Sequence, residues 1–170
     1  MTKVQRRLVY DGDVYEVSCA VRADGVESPV AKFLDALKDG TWSVKTDEAS
    51  TLSPDEQVKV HKWLLTAVEH FANFGELPHV GDWNQLTQGI WEIKHWDLRV
   101  SFFDTDGEGN YTPKITERIH TGGGGYCPLP DFDDYVRLGT VFIKTTAKTQ
   151  KHDIEFAQQV RDEDLAHDRN

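Results

Sequence analysis

Arg99, Lys94, Lys144 and Lys148 are the side chains of this sequence that invite chemistry on a phosphate, because they are cations placed at the ends of strand-like runs. Lys151 and Arg137 add charge to the same stretch as Lys144, and His95 and His152 are the histidines nearest to these elements. Positioned cations neutralise a phosphate and displace its counterions, while a histidine near its ordinary pKa exchanges protons at neutral pH. The residues make no comparable case for a metal or any other cofactor. Cys19 and Cys127 lack the paired spacing of a zinc site. Asp104 to Asn110 places acids at alternate positions before glycine, as a calcium loop does, but the closing acidic ligand is missing because the twelfth position is Ile115.

These cations need a scaffold, and Gly89 to Phe103 supplies one. Two runs that alternate apolar and polar residues flank a polar corner at His95-Trp96-Asp97, which predicts a hairpin. With period two, Glu92 and Lys94 share one face with Ile90, while Trp91, Ile93 and His95 share the other. In the second run Leu98, Val100 and Phe102 point one way, and Arg99, Ser101 and Phe103 the other. A further strand over Val136 to Ile143 ends in a basic stretch from Lys144 to His152. Arg99, Lys94 and the lysines after Ile143 are therefore expected to converge on one sheet face.

The chain has 170 residues, 38% of them hydrophobic, which fits a single domain over residues 1–170 with a real core. No apolar run approaches a membrane span and the first residues lack an apolar leader, so the expectation is a cytoplasmic protein with no membrane partner. The net charge of −10 argues against a protein that coats nucleic acid. The charge is unevenly spread, however. Asp104 to Tyr135 holds seven acids against Lys114 and Arg118, whereas Val136 to His152 holds four basic residues and no acid. A local basic site on an acidic protein is compatible with that distribution.

Around this centre the chain reads as follows. Gln5 to Val21 predicts two strands about Asp11-Gly12, and Asp24-Gly25 a turn. Ser28-Pro29 starts a short helix that Gly40 ends. Thr41 to Leu52 reads as a loop. Ser53-Pro54-Asp55-Glu56 is a capping box opening a long helix that ends at Gly75, with Val58, His61, Leu64, Leu65, Val68, Phe71 and Ala72 as its apolar stripe. Thr112 to Ile119 predicts another strand, Gly122 to Gly125 a flexible hinge, and Thr149 to Leu165 a C-terminal helix.

Four strings in this order resemble the HigB-like, phage Gp49-like branch of the RelE/ParE toxin superfamily. They are Asp24-Gly-Val-Glu-Ser-Pro-Val-Ala-Lys-Phe-Leu-Asp35, Gly89-Ile-Trp-Glu-Ile-Lys94, Leu98-Arg-Val-Ser-Phe-Phe103 and the run from Phe142 to Ala157 with Lys144, Lys148 and Lys151. The resemblance spans roughly residues 13 to 163. It implies an α+β domain with an antiparallel sheet packed against helices, here with an N-terminal hairpin and an acidic insertion at 104–135. It also implies the toxin of a type II toxin–antitoxin pair: a metal-independent endoribonuclease (an mRNA interferase) that inhibits growth by cutting translated mRNA at the ribosome and is silenced by a helix-turn-helix antitoxin. Such cleavage needs the 2′-hydroxyl deprotonated, the phosphorane stabilised and the leaving oxygen protonated. By the family pattern Arg99 serves the scissile phosphate, with Lys94, Lys144 and Lys148 around it, and Lys151 and Arg137 extend RNA binding. His152 and His95 are the candidates for proton transfer.

Plainer readings stand beside these. The lysines could form a solvated face, Arg99 could be a cross-strand partner of Glu92, Trp91 could be core, His95 a surface residue and His61 a satisfied core histidine. Thr145, Gln150 and Lys94 depart from the family strings. With the acidic insertion, they leave open a non-catalytic use of the same fold, either gyrase-directed or as a phage-encoded binding protein. Because the insertion joins the strand of Arg99 to the strand leading into Lys144, it is expected to fold as a hairpin-like excursion with a mobile Gly122–Gly125 hinge, some of whose acids lie near Lys144, Lys148 and Lys151.

Overall fold

The computed structural model of the protein describes residues 3–43 and 52–169. Two strands, β1 (Leu8–Asp11) and β2 (Glu16–Cys19), form the N-terminal hairpin. Helix α1 (Pro29–Asp39) starts at Ser28, whose hydroxyl accepts from the Ala31 amide, and ends at Gly40 in the left-handed region with φ 70°. Helix α2 (Pro54–Phe74) carries the complete capping box, in which the Ser53 hydroxyl accepts from the Glu56 amide and the Glu56 carboxylate from the Ser53 amide. After a short 3-10 turn come β3 (Trp83–Gln85), β4 (Trp91–His95), β5 (Leu98–Thr105), β6 (Tyr135–Ile143) and helix α3 (Lys151–Asp168). The loop read over Thr41 to Leu52 lies for the most part outside the described residues.

The architecture is α+β, with a six-stranded sheet in the order β1-β2-β6-β5-β4-β3. The expectation of an antiparallel sheet needs correction. β2 pairs with β6 in parallel, Glu16 opposite Tyr135, so the sheet is mixed. The chain reaches that pairing after α1, α2 and the whole β3-β4-β5 meander, and such long connections allow a parallel neighbour where a tight turn does not. β3 lies at the far edge against β4; at three residues it was too short for its alternation to register in the sequence.

One face of the sheet carries the main core. Trp91, Ile93, Leu98, Val100, Phe102, Val136 and Leu138 pack there with Val30, Phe33, Leu34 and Leu37 of α1 and Leu64, Val68 and Phe71 of α2. The buried stripe of α2 is rotated from the expected one: Gln57, Val60 and Ala67 are inside, whereas Val58 and Leu65 are largely exposed and His61 half-buried. Gln57 is buried because its amide bonds the backbone of Trp42 and Leu52. The turn of the N-terminal hairpin closes over the end of α2, where Val14 and Tyr15 donate to the Ala72 carbonyl at 2.8 and 2.9 Å. Gly12 is required at that contact, since a Cβ there would stand 2.3 Å from the Ala72 backbone.

On the opposite face α3 runs back along β6, and Val160 and Leu165 pack with Phe103 and Ala20. Its other fastening is ionic. Asp164 accepts from Arg137, Arg6 and the Val21 amide at 2.6 to 3.0 Å, and Arg137 and Arg6 also pair with Asp168. Arg and carboxylate groups taken out of water need this mutual saturation.

The stretch from 106 to 134 is not an excursion. Thr112 to Ile119 forms no strand beyond one bridge between Ile119 and Tyr126, and the segment is stitched to the sheet edge by side chains. The Trp83 indole donates to the Cys127 carbonyl at 2.7 Å, the Trp91 indole to the Lys114 carbonyl at 3.1 Å, and the Gln85 amide both donates to and accepts from Thr116. Phe132 is buried edge-on to Tyr15, Phe71, Trp91 and Phe102, with ring centroids 5.6 to 5.9 Å apart. Nor do its ends lie beside Lys144. Thr105 pairs with Tyr135, while Leu98 pairs with Ile143 at the other end of the same ladder, and seven residues of strand separate those ends by roughly 23 Å.

Candidate phosphate-binding site

The β4–β5 hairpin places Lys94 directly opposite Arg99 and Glu92 opposite Ser101. The register follows from the tight corner at Trp96-Asp97, where Trp96 takes φ 56°. Lys144 reaches the same corner because it directly follows Ile143, the last residue of β6, and its amide donates to the Asp97 carbonyl at 2.8 Å. Three cations from two distant stretches thus meet around one carboxylate, Glu92, and the charges of Arg99, Lys144 and Lys94 all act on it.

Glu92 has no exposed surface. Burial pushes its carboxyl above the ordinary range, against the pull of Arg99, of a hydrogen bond from Asn84, and of the two lysines. Its Oε1 lies 3.4 Å from Arg99 Nε, while Oε2 and Arg99 Nε have no hydrogen-bond partner. Arg99 instead spends a guanidinium nitrogen on the carbonyls of Trp96, at 2.5 Å, and Leu98, at 3.0 Å. The Lys94 ammonium is lowered in pKa, first by burial, then by Arg99, with Lys144 and Arg118 adding to the effect and Glu92 opposing it. An ammonium pushed down in this way gives up its proton more readily.

The remaining sequence candidates divide. Lys148, Lys151 and His152 lie exposed on the segment that enters α3; Lys151 pairs weakly with Glu155 at 3.5 Å, and His152 stands 3.4 Å from Asp153. His95 is on the wrong face, stacked on Trp63 with centroids 4.2 Å apart, and burial lowers its pKa. The alternation of the strand already put it opposite Lys94. Arg137 is corrected as an RNA contact, being 5% exposed and held by Asp164 and Asp168 at the far end of the sheet. Trp91 is core, and Arg99 is a cross-strand neighbour of Glu92 as well as part of the cationic group.

Two members were missed. Glu92 was legible as a face-mate of Lys94, but its complete burial comes with strands packed on both sides of it, β3 through Asn84 and β5 through Ser101. Arg118 comes from the insertion: its charge helps lower the Lys94 pKa, while its guanidinium donates to the Gly124 and Gly125 carbonyls at 3.2 and 3.1 Å. Two of the insertion's acids are occupied elsewhere: Asp104 and Asp133 both hold Lys114, at 2.8 and 3.2 Å. Among the described residues no group of three or more His, Cys, Asp or Glu side chains could hold a metal ion, and no helix is long and apolar enough to cross a membrane.

The site therefore defines a cationic cluster, anchored on a buried carboxylate, on a mixed α+β sheet. Compared with known proteins, the chain matches no family model, no curated protein and no solved structure.

Proposed function

We propose that the protein is an endoribonuclease that cuts mRNA as the toxin of a type II toxin–antitoxin pair, using the patch around Glu92 to hold the scissile phosphate. The observation that carries the reading is the meeting of Lys94, Arg99 and Lys144 around Glu92 at the β4–β5 corner. Arg99 stabilises the charge that develops on the phosphorane oxygens, and Lys144 neutralises the bound phosphate. Lys94, with its lowered pKa, is the proton-transfer group. Glu92 positions the Arg99 guanidinium and does not meet substrate. His152 remains a second proton donor on the approach from α3.

Induced expression followed by RNA 5′-end mapping tests this. Growth arrest with new 5′ ends in translated messages is expected, and Arg99→Ala should abolish both. Growth arrest with intact RNA would overturn it. One feature favours a non-catalytic binder on the same fold, such as a gyrase-directed inhibitor: Arg99 is already committed to the Trp96 and Leu98 carbonyls. That reading predicts arrest with DNA-damage signalling and no cleavage.

A further inference from the structure

Trp96 is 87% exposed, at a left-handed φ of 56°, on the tip that separates two unlike surfaces. Its carbonyl is held by Arg99, and the neighbouring Asp97 carbonyl is held by the Lys144 amide, so one side of the tip belongs to the cationic patch. On the other side opens a groove of about 630 Å³ to which Trp96, Trp42, Val60, Leu98 and Ile143 present apolar surface, with Lys59 among its charged residues. A tryptophan in a conformation that favours glycine, and in water, gains nothing for the fold. The turn could hold Asn or Gly at lower cost.

We propose that the tip is a nucleobase seat: an unpaired nucleotide of bound RNA lays its base on Trp96 at the mouth of this groove while its phosphate rests on Lys144 and Arg99. The match is one of chemistry. A nucleotide is a flat apolar ring joined to an anion, and the tip offers a flat apolar ring on a residue whose carbonyl the Arg99 guanidinium bonds, beside the turn that the Lys144 backbone closes. Glu56 and Asp97, which also line the groove, repel phosphate and accept hydrogen bonds from base amino groups, so they fix which end of the nucleotide enters. Stacking of this kind is sequence-tolerant.

The inference rests on the RNA reading and is tested apart from cleavage. Binding of a 2′-O-methyl oligonucleotide of about ten residues, within the usual site size for single strands, is compared with an abasic oligomer of the same length. The 2′-O-methyl group preserves bases and phosphates but blocks attack. Trp96→Ala should weaken the base-bearing oligomer about tenfold or more, leave the abasic oligomer unchanged and keep the far-ultraviolet circular dichroism. Trp96→Phe should restore most of the loss. Equal binding of both oligomers by wild type and Trp96→Ala would overturn the seat. So would a dimer that Trp96→Ala dissociates, since the groove would then hold a second copy of the chain. Trp96-dependent binding without transcript cleavage would sustain the seat and sink the nuclease; cleavage with Trp96-independent binding would do the reverse.

Discussion

A carboxylate without solvent contact beside an arginine that turns its best donors elsewhere is the feature of this molecule with the clearest titration signature. Because burial raises the Glu92 pKa, folding favours its protonated form. Its contribution to stability is complete below the ordinary carboxyl range and is lost as pH rises through the raised value. Glutamine does not titrate. The stability of Glu92→Gln relative to wild type should therefore increase as pH is raised from about 4, then level off, as measured by denaturant unfolding across a pH series. Asp104 is raised for the same reason and bends both curves alike, so the difference isolates Glu92; a difference that stays flat or falls with pH would refute the assignment. At this scale the sequence was a partial guide. Alternation put Glu92, Lys94 and Arg99 together and set His95 apart from Lys94, but charge alone could not distinguish Arg137, neutralised by a helix arriving much later in the chain, from the exposed Lys148.

The elements that a local signal marks were the ones legible beforehand. Ser28 and Ser53 as caps, Gly40 and Gly75 as stops, and Asp11-Gly12 between alternating runs all produce the structures they predict. What failed was long-range. The 106–134 segment has the glycine and acid content of a surface loop, and nothing local in it reveals that Phe132 completes an aromatic cluster built from α2, β4 and β5. Phe132→Ala should cost about 3–5 kcal/mol, typical of a buried phenylalanine, read as a shift of the urea midpoint. Replacing the segment by a short turn would remove that ring and leave Asp104, buried and bonded to Lys114, without its partner, so the expected product is an unfolded chain. A shortened chain that unfolds cooperatively at the wild-type midpoint would return the segment to the status of decoration.

For the molecule as a whole, net charge misleads about the site because it sums 29 acids and 19 basic residues without regard to place, while Lys94, Arg99 and Lys144 gather around one carboxylate. Arg118 gives a direct measure of how far the insertion serves the patch. Arg118→Ala should weaken oligonucleotide binding to all sequences alike and reduce the slope of log affinity against log salt by about one; an unchanged slope would place Arg118 outside the phosphate path. The mixed sheet, invisible to any local pattern, has a consequence for the order in which the protein comes into being. Ribosomes add roughly 5–20 residues per second, so β2 leaves the tunnel on the order of ten seconds before β6, the strand it must lie beside. Until then Val17 and Cys19 sit on an unpaired edge, a liability for association with other chains. The β4–β5 hairpin brings Lys94 and Arg99 together early, yet Lys144 joins them only when synthesis has passed the last strand. The cationic patch is thus completed only after β6 has emerged, and a growing chain cannot bear it before Lys144 has left the tunnel.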